Sequence, residues 1–211
     1  GAAKHLIVPA ARVVKLDQRF DDRGVLIALA ATAYHAIAGE GATIPELIIG
    51  HGIVGRLIAR IAIALGADAP LVWEKNATRR DGALGYHVVD PADDPRRDYH
   101  AICDASGDPL LLDILISRLA KRGEITLAGF YETPLSFTFP PAFMREARFR
   151  IAAEWARADI DAVMDLIMSG KLSLEGLVTN HAKPHEAPDA YRTAFTDPTC
   201  LKMILDWRDA A

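Results

Sequence analysis

The spacing of three glycines and one glutamate is the feature of this sequence that is most informative about its chemistry. Gly50, Gly52 and Gly55 follow an apolar triplet at 47–49, and Glu74 lies nineteen residues beyond Gly55. A Gly-x-Gly-x-x-Gly turn after a strand lets backbone N–H groups approach a pyrophosphate closely, and an acidic residue about 20 positions further on reaches the hydroxyls of an adenosine ribose. The spacing therefore predicts a binding site for a dinucleotide.

The segments around this turn have the periodicities that such a site requires. Residues 53–65 carry an apolar stripe with helical period and end at Gly66, whereas Arg56 and Arg60 lie four apart on another face. Further strands are predicted at 71–74, 86–89, 101–105 and 124–128, and further helices at 21–38, 77–84 and 112–119. Strands that alternate with helices in this way indicate an α/β fold with a parallel, doubly wound Rossmann sheet.

In such a sheet, a ligand lies across the carboxyl ends of the strands, and N–H groups at a helix start favour an anion. The predicted cofactor contacts are the residues at those ends: Gly50, Gly52, Ile53, Val54, Gly55, Glu74, Lys75, Ser106, Gly107, Gly129, Phe130 and Tyr131. We interpret His51 as a turn residue that contributes mainly its backbone, with a phosphate contact as the alternative.

The charge of Glu74 favours NAD as the cofactor. A carboxylate accepts hydrogen bonds from ribose hydroxyls and repels the 2'-phosphate of NADP. Lys75, Arg79 and Arg80 follow closely and could compensate that charge, although cations at this spacing are more typical of the solvated face of the next helix.

Hydride transfer from an alcohol to NAD also needs a group that takes the hydroxyl proton. Tyr34, His35, Tyr131 and His181 are candidates, but their spacing selects none of them, and a structural role is favoured for each. The catalytic residues therefore stay unassigned. Cys103 lies within a predicted buried strand and is expected in the core.

Composition narrows the possible partners. The 211 residues carry a net charge of -4, which gives no basic surface for nucleic acid, and no apolar run approaches the length of a membrane span. The two cysteines, Cys103 and Cys200, have no paired spacing, so we expect no metal cluster and a reducing, cytoplasmic compartment. Because the sequence lacks an initiator methionine, we also expect further residues upstream.

The two ends of the chain depart from the alternating pattern. Residues 5–16 cluster apolar residues around Pro9, which predicts short strands. Other predicted elements are an edge strand at 148–155, a helix at 158–169, strands at 176–179 and 200–205, and a helix at 187–195. We therefore expect a Rossmann domain at 21–170, with residues 1–20 and 171–211 belonging to a second, β domain.

The order of elements resembles the medium-chain dehydrogenase/reductase superfamily. Residues 3–10, residues 31–36 and the nucleotide domain carry this resemblance. It implies that the second domain is part of a GroES-like catalytic domain, and that Thr32 lies near the nicotinamide. It also implies that Ala28 replaces the cysteine zinc ligand of alcohol dehydrogenases, so no catalytic zinc is expected, and that residues 148–155 join two copies into a homodimer.

Three further stretches, at 90–99, 139–148 and 194–207, are most similar to members that oxidise the 1-hydroxyethyl group of a bacteriochlorophyllide to acetyl with NAD. The resemblance implies this tetrapyrrole as substrate, and its propionate could pair with Arg96, Arg97 or Arg145. A solvated surface role is favoured for each arginine. A generic medium-chain alcohol or polyol dehydrogenase, and a non-catalytic dinucleotide-binding module, stay open as alternatives.

Overall fold

The computed structural model describes residue 3, residues 5–10 and residues 13–208. Contacts between the described residues divide the chain into two compact units. One unit runs from Ile27 to Ser173, and the other combines the residues up to Leu26 with those from Leu174 onward. The glycine turn and Glu74 belong to the first.

The first unit is built on six parallel strands: β1 (Leu47–Ile49), β2 (Leu71–Trp73), β3 (His87–Val89), β4 (Tyr99–Asp104), β5 (Leu119–Leu127) and β6 (Arg148–Ile151). Their order across the sheet is β3-β2-β1-β4-β5-β6. The chain thus builds outward from β1 in one direction and then returns to build in the other. This reversal between β1 and β4 is where doubly wound sheets bind ligands.

Five helices belong to this unit: α1 (Ile27–Ala38), α2 (Ile53–Ala64), α3 (Leu112–Arg118), α4 (Phe139–Arg145) and α5 (Arg157–Met168). Alternate residues of a strand point to opposite faces, and Leu47 and Ile49 join one buried cluster with Leu115 of α3. Ile48 points the other way, towards α2, and α1 packs against both α2 and α5. Helices therefore cover both faces, and the predicted fold class is confirmed.

The second unit contains a parallel pair of short strands, β7 (Asn180–Ala182) and β8 (Met203–Leu205), with helix α6 (Ala187–Thr196) packed on β8. The Nε2 of His181 in β7 lies 3.0 Å from the Asp22 carboxylate, within hydrogen-bond distance. The helix predicted at 187–195 is confirmed. The strand predicted at 176–179 is wrong, because those residues form no strand and β7 begins at Asn180, whereas the strand predicted at 200–205 is present but begins only at Met203.

Several other sequence predictions are wrong. The described residues of 5–16 contain no strand and are mostly exposed to solvent, and the helix expected from residue 21 begins only at Ile27. A 3-10 segment, kinked at Asp21 with φ 45°, precedes it. The helix expected at 77–84 is a single 3-10 turn, Ala77–Arg79, followed by Gly82 and Gly85 at positive φ.

Among the described residues, no helix combines the length and the apolar character needed to cross a bilayer.

Candidate dinucleotide-binding site

The register of the strands brings the predicted cofactor residues together at the carboxyl-terminal ends of the strands. Ile49 pairs with Trp73 on one side and with Asp104 on the other, and Asp104 pairs with Leu127. Strands β1, β2, β4 and β5 therefore end level, and the residues that follow them face the same side. A cavity of about 230 Å³ opens there.

Of the predicted cofactor contacts, Gly50, Gly52, Glu74, Lys75 and Ser106 line this cavity. The remaining wall is largely apolar and consists of Ile49, Trp73, Arg79, Pro91, Ala105, Asp108, Leu111 and Ile114. An apolar cleft with a few fixed polar groups is the usual form of a cofactor site.

The glycine turn leaves the start of α2 open to an anion. Gly50 adopts φ 94°, and a Cβ at Gly55 would meet the Gly50 carbonyl oxygen at 1.9 Å, so the turn packs tightly on itself. At Gly52 a Cβ would meet nothing within 4 Å, and no side chain caps the helix that begins after it. Free N–H groups beside open space at a helix start fit the pyrophosphate of a dinucleotide.

Glu74 is held in place by the backbone on both sides. Its Oε2 accepts from the His51 N–H at 3.0 Å, and its Oε1 accepts from the Asn76 N–H at 2.8 Å. Each carboxylate oxygen has a further lone pair, so the group can also accept from ligand hydroxyls. The carboxylate at the edge of the cavity is thus fixed directly to the glycine turn.

The side chain of His51 is fully buried beneath the turn, which the sequence interpretation did not foresee. Its Nδ1 lies 2.6 Å from the Arg79 carbonyl and its Nε2 lies 2.9 Å from the Tyr86 hydroxyl. Because a carbonyl only accepts, Nδ1–H donates to Arg79 and Nε2 accepts from Tyr86. Burial lowers the pKa of His51 to about 4, so the imidazole is neutral at pH 7 and contacts the protein rather than a phosphate.

Arg56 also forms hydrogen bonds beneath the glycine turn. Its Nε donates to the His51 carbonyl at 3.0 Å, and its Nη2 donates to the Arg79 carbonyl at 2.9 Å. Both Arg56 and Arg60 are buried, at 6% exposure each, whereas the sequence interpretation placed them on a face of α2 away from the apolar stripe. The helical pattern alone did not reveal that the segment between β2 and β3 covers this face.

The cations that follow Glu74 divide into two groups. Arg80 turns to the protein: its Nε donates to the Glu74 carbonyl at 2.8 Å, and its Nη2 pairs with Asp90. Lys75 and Arg79 stay at the cavity wall, where Lys75 lies 3.6 Å from the carboxylate of Asp108. The charge around Glu74 is therefore mixed, with the lysine already paired.

The predicted contacts that follow β4 and β5 form a second cluster beside the cavity. Gly107 and Gly129 pack against each other, and Phe130 is 88% exposed. The hydroxyl of Tyr131 donates at 2.8 Å to Asp104, the last residue of β4. Asp104 is 1% exposed and was not among the predicted site residues, although its position at a strand end next to Ser106 could have indicated it.

Several predicted candidates are not among the residues that line the cavity. Thr32 donates its hydroxyl to the Ala28 carbonyl within α1, at 3.1 Å. His35 lies 2.9 Å from Asp159 of α5. Cys103 is buried within β4, which raises its thiol pKa to about 12. Within the part of the chain that the structure describes, no group of three His, Cys, Asp or Glu side chains could hold a metal ion.

The three arginines that the resemblance offers as possible partners of a propionate, and for which a solvated role is favoured, lie near the amino-terminal ends of the strands. Arg96 pairs with Glu46, the residue before β1, at 2.7 Å, and with Asp98, the residue before β4, at 2.8 Å. Arg97 donates to the Asp94 carbonyl at 3.1 Å, and Arg145 donates at 3.1 Å to the carbonyl of the first residue of β5. The loop from β3 to β4 crosses to the amino-terminal ends of the strands, so the structure does not bring these arginines to the cavity.

Comparisons with known proteins extend this picture. No protein-family model matches the sequence. The chain is 58% identical over 210 residues to 2-desacetyl-2-hydroxyethyl bacteriochlorophyllide A dehydrogenases of Rhodobacter capsulatus and Cereibacter sphaeroides. Each match covers 100% of this chain and 67% or 66% of the relative, respectively, so the chain spans about two thirds of their length.

A solved alcohol dehydrogenase from Escherichia coli CFT073, in complex with NADH, shares the fold with a TM-score of 0.83 and 19% identity. The likeness covers 94% of this chain and 63% of that one. The chain therefore belongs to the 2-desacetyl-2-hydroxyethyl bacteriochlorophyllide A dehydrogenase family, within the medium-chain dehydrogenase/reductase superfamily.

Proposed function

We propose that this protein carries out the NAD-dependent oxidation of the 3-(1-hydroxyethyl) group of a bacteriochlorophyllide to 3-acetyl. The observation that carries the proposal is 58% identity along the entire chain to dehydrogenases named for the hydroxyethyl pigment. In this reaction the secondary alcohol carbon loses a hydride and its hydroxyl loses a proton, which leaves a ketone. The nicotinamide cofactor supplies the hydride acceptor.

The residues at the carboxyl edge fit such a cofactor. The open turn at Gly52 and the uncapped start of α2 would hold the pyrophosphate, and Glu74 would accept from the adenosine ribose. The turns after β4 and β5, with Ser106, Gly107 and Gly129, would border the nicotinamide half. We further propose that Ile27–Ser173 is the nucleotide domain and that the second unit is part of the catalytic domain.

NAD is favoured over NADP by the electrostatics around Glu74. The carboxylate is held by two backbone N–H groups and cannot swing away without breaking both hydrogen bonds. Asp108 adds a second carboxylate to the cavity wall and pairs with Lys75. A 2'-phosphate would therefore meet the fixed negative charge of these two carboxylates.

Calorimetric titration with NADH and NADPH tests the cofactor assignment. We expect NADH to bind more tightly, and we expect Glu74→Ala to weaken NADH binding by about 1–3 kcal/mol, because ribose hydroxyls lose their acceptor. Glu40→Ala changes an exposed carboxylate of the same unit and serves as the control. Equal affinity for both nucleotides in the unmodified chain, or unchanged NADH affinity in Glu74→Ala, would contradict the assignment.

Turnover tests the substrate. The protein with NAD should convert the hydroxyethyl pigment to its acetyl form, which is followed by the red shift of pigment absorption. Turnover of small alcohols or polyols without any conversion of the pigment would support a generic alcohol dehydrogenase instead. NADH binding without turnover of either class would support a non-catalytic module.

We also propose that two copies associate through β6. This strand lies at the edge of the sheet, so one side of its backbone has no partner strand within the described chain. Ile151, at 78% exposure, and Phe149 add apolar surface beside it. Light scattering should give the mass of a dimer, and Ile151→Asp should shift it to the monomer, whereas Leu84→Asp, at another exposed site, should not.

A further inference from the structure

Asp104 is a buried carboxylate that the cofactor contacts proposed above do not use. It ends β4 with only 1% of its surface exposed. Its Oδ1 accepts from both the backbone N–H of Ser106, at 2.9 Å, and the Ser106 hydroxyl, at 2.6 Å. Its Oδ2 accepts from Tyr131 at 2.8 Å. Every donor comes from the turns that follow β4 and β5, at the edge of the sheet where the cavity lies.

The Tyr131 phenol donates this hydrogen bond and holds its proton. Burial and the adjacent Asp104 carboxylate both raise the pKa of Tyr131 far above its ordinary value of 10. A phenol in this state cannot accept a proton from an alcohol near neutral pH. Tyr131 is therefore a fixed donor, which removes it from the candidate proton acceptors.

The main chain of Asp104 also forms hydrogen bonds with the turn after β5. Its carbonyl accepts from the N–H groups of both Ala128, at 2.8 Å, and Gly129, at 2.9 Å. The turn after β5 then contacts the turn after β4 so closely that a Cβ at Gly129 would lie 2.7 Å from the Gly107 nitrogen. Side-chain and main-chain bonds of one residue thus hold both turns together.

We propose that Asp104 and Tyr131 are positioning residues for the nicotinamide half of the cofactor. This inference rests on the proposed function. A dinucleotide across the β1–β4 reversal has its adenosine on the side of Glu74 and β2, so its other half extends towards β4 and β5. The two residues fix the wall on that side without touching the adenosine side.

Binding of NADH and of ADP-ribose, which lacks the nicotinamide, separates this role from general stabilisation. We expect Tyr131→Phe to weaken NADH binding roughly 3- to 10-fold, the equivalent of one hydrogen bond, and to change ADP-ribose binding less than about twofold. The fluorescence of bound NADH should also move towards that of the free nucleotide, because the nicotinamide is less shielded. Asp104→Asn should act in the same direction.

Tyr99→Phe is the matched control. Tyr99 is a fully buried tyrosine, whereas Tyr131 is partly buried. Its hydroxyl likewise donates to a buried aspartate, Asp94, at 2.9 Å, but Tyr99 begins β4 instead of facing the strand ends. It should leave both affinities and the NADH fluorescence unchanged.

Two results would overturn the inference while the proposed function stands: unchanged NADH affinity in Tyr131→Phe, or equal loss of NADH and ADP-ribose binding. If the unmodified chain binds neither nucleotide, the proposed function fails, and this inference fails with it.

Discussion

Replacing His51 by leucine tests whether the imidazole beneath the glycine turn carries stability. The substitution removes the hydrogen bond from Nδ1–H to the Arg79 carbonyl and leaves the buried Tyr86 hydroxyl without its imidazole acceptor. The Arg79 carbonyl keeps its bond from Arg56, so one group loses its partner. One lost hydrogen bond and one unsatisfied buried donor together cost about 2–4 kcal/mol at pH 7.5.

The pH dependence of the free energy of unfolding tests the neutral state of His51 more directly than the size of the loss does. Folded His51 binds a proton only near pH 4, whereas the unfolded chain binds one near the ordinary pKa of 6.5. The unfolded state therefore holds more protons below pH 6.5, and stability is lost as the pH falls from 6.5 towards 4. Between pH 7.5 and pH 5 the loss amounts to about 2 kcal/mol for this one group.

Urea unfolding followed by tryptophan fluorescence, at pH 7.5 and pH 5, measures both quantities. The original chain should lose about 2 kcal/mol more over this range than His51→Leu, since the variant has no imidazole to protonate. His87→Leu, at an exposed position of β3, is the control and should keep the full pH dependence. An identical loss in the original chain and in His51→Leu would refute the argument that His51 is held neutral.

Two further predictions concern the two edges of the sheet. Gly55→Ala should destabilise the fold by more than about 3 kcal/mol, because its Cβ would overlap the Gly50 carbonyl oxygen. Gly52→Ala should leave the urea midpoint unchanged, because its Cβ would point into open space, but it should weaken NADH binding. Arg96→Ala should leave NADH binding and the KM for pigment unchanged in calorimetry and turnover assays, because Arg96 lies at the amino-terminal ends of the strands. A raised KM for pigment in Arg96→Ala would contradict this prediction and support a contact between Arg96 and the substrate.

The sequence predicts the sheet well because the physical requirements of a buried parallel strand are local. A short apolar run between turn residues, as at Leu47–Ile49, has few other stable environments, and helical stripes between such runs imply crossovers. The N-terminal part failed for the complementary reason. An apolar cluster such as that at 5–10 forms a strand only beside a partner strand, and periodicity contains no information about partners.

The buried polar network under the glycine turn could not be read from spacing. His51 and Arg56 are distant in sequence from the Arg79 carbonyl that they share, and His51 is also distant from Tyr86. The burial of these side chains depends on the path of the segment between β2 and β3. That segment was expected to be a helix with solvated cations. Because the helix is shortened to one turn, the Arg79 carbonyl at its end accepts from His51 and Arg56.

Whether a charged residue lies at the cavity depends on which end of a strand it is next to. Residues within two positions of the end of a strand, such as Glu74 and Ser106, are placed by the strand itself, so a correct sheet order brings them together at the carboxyl-terminal ends. Arg96 stands at the end of a loop that must cross the sheet before the next parallel strand can begin. Its proximity in sequence to Asp90, at the carboxyl edge, therefore indicates nothing about its position in space. In a parallel sheet, charge is informative about a ligand only after each residue has been assigned to the beginning or the end of a strand.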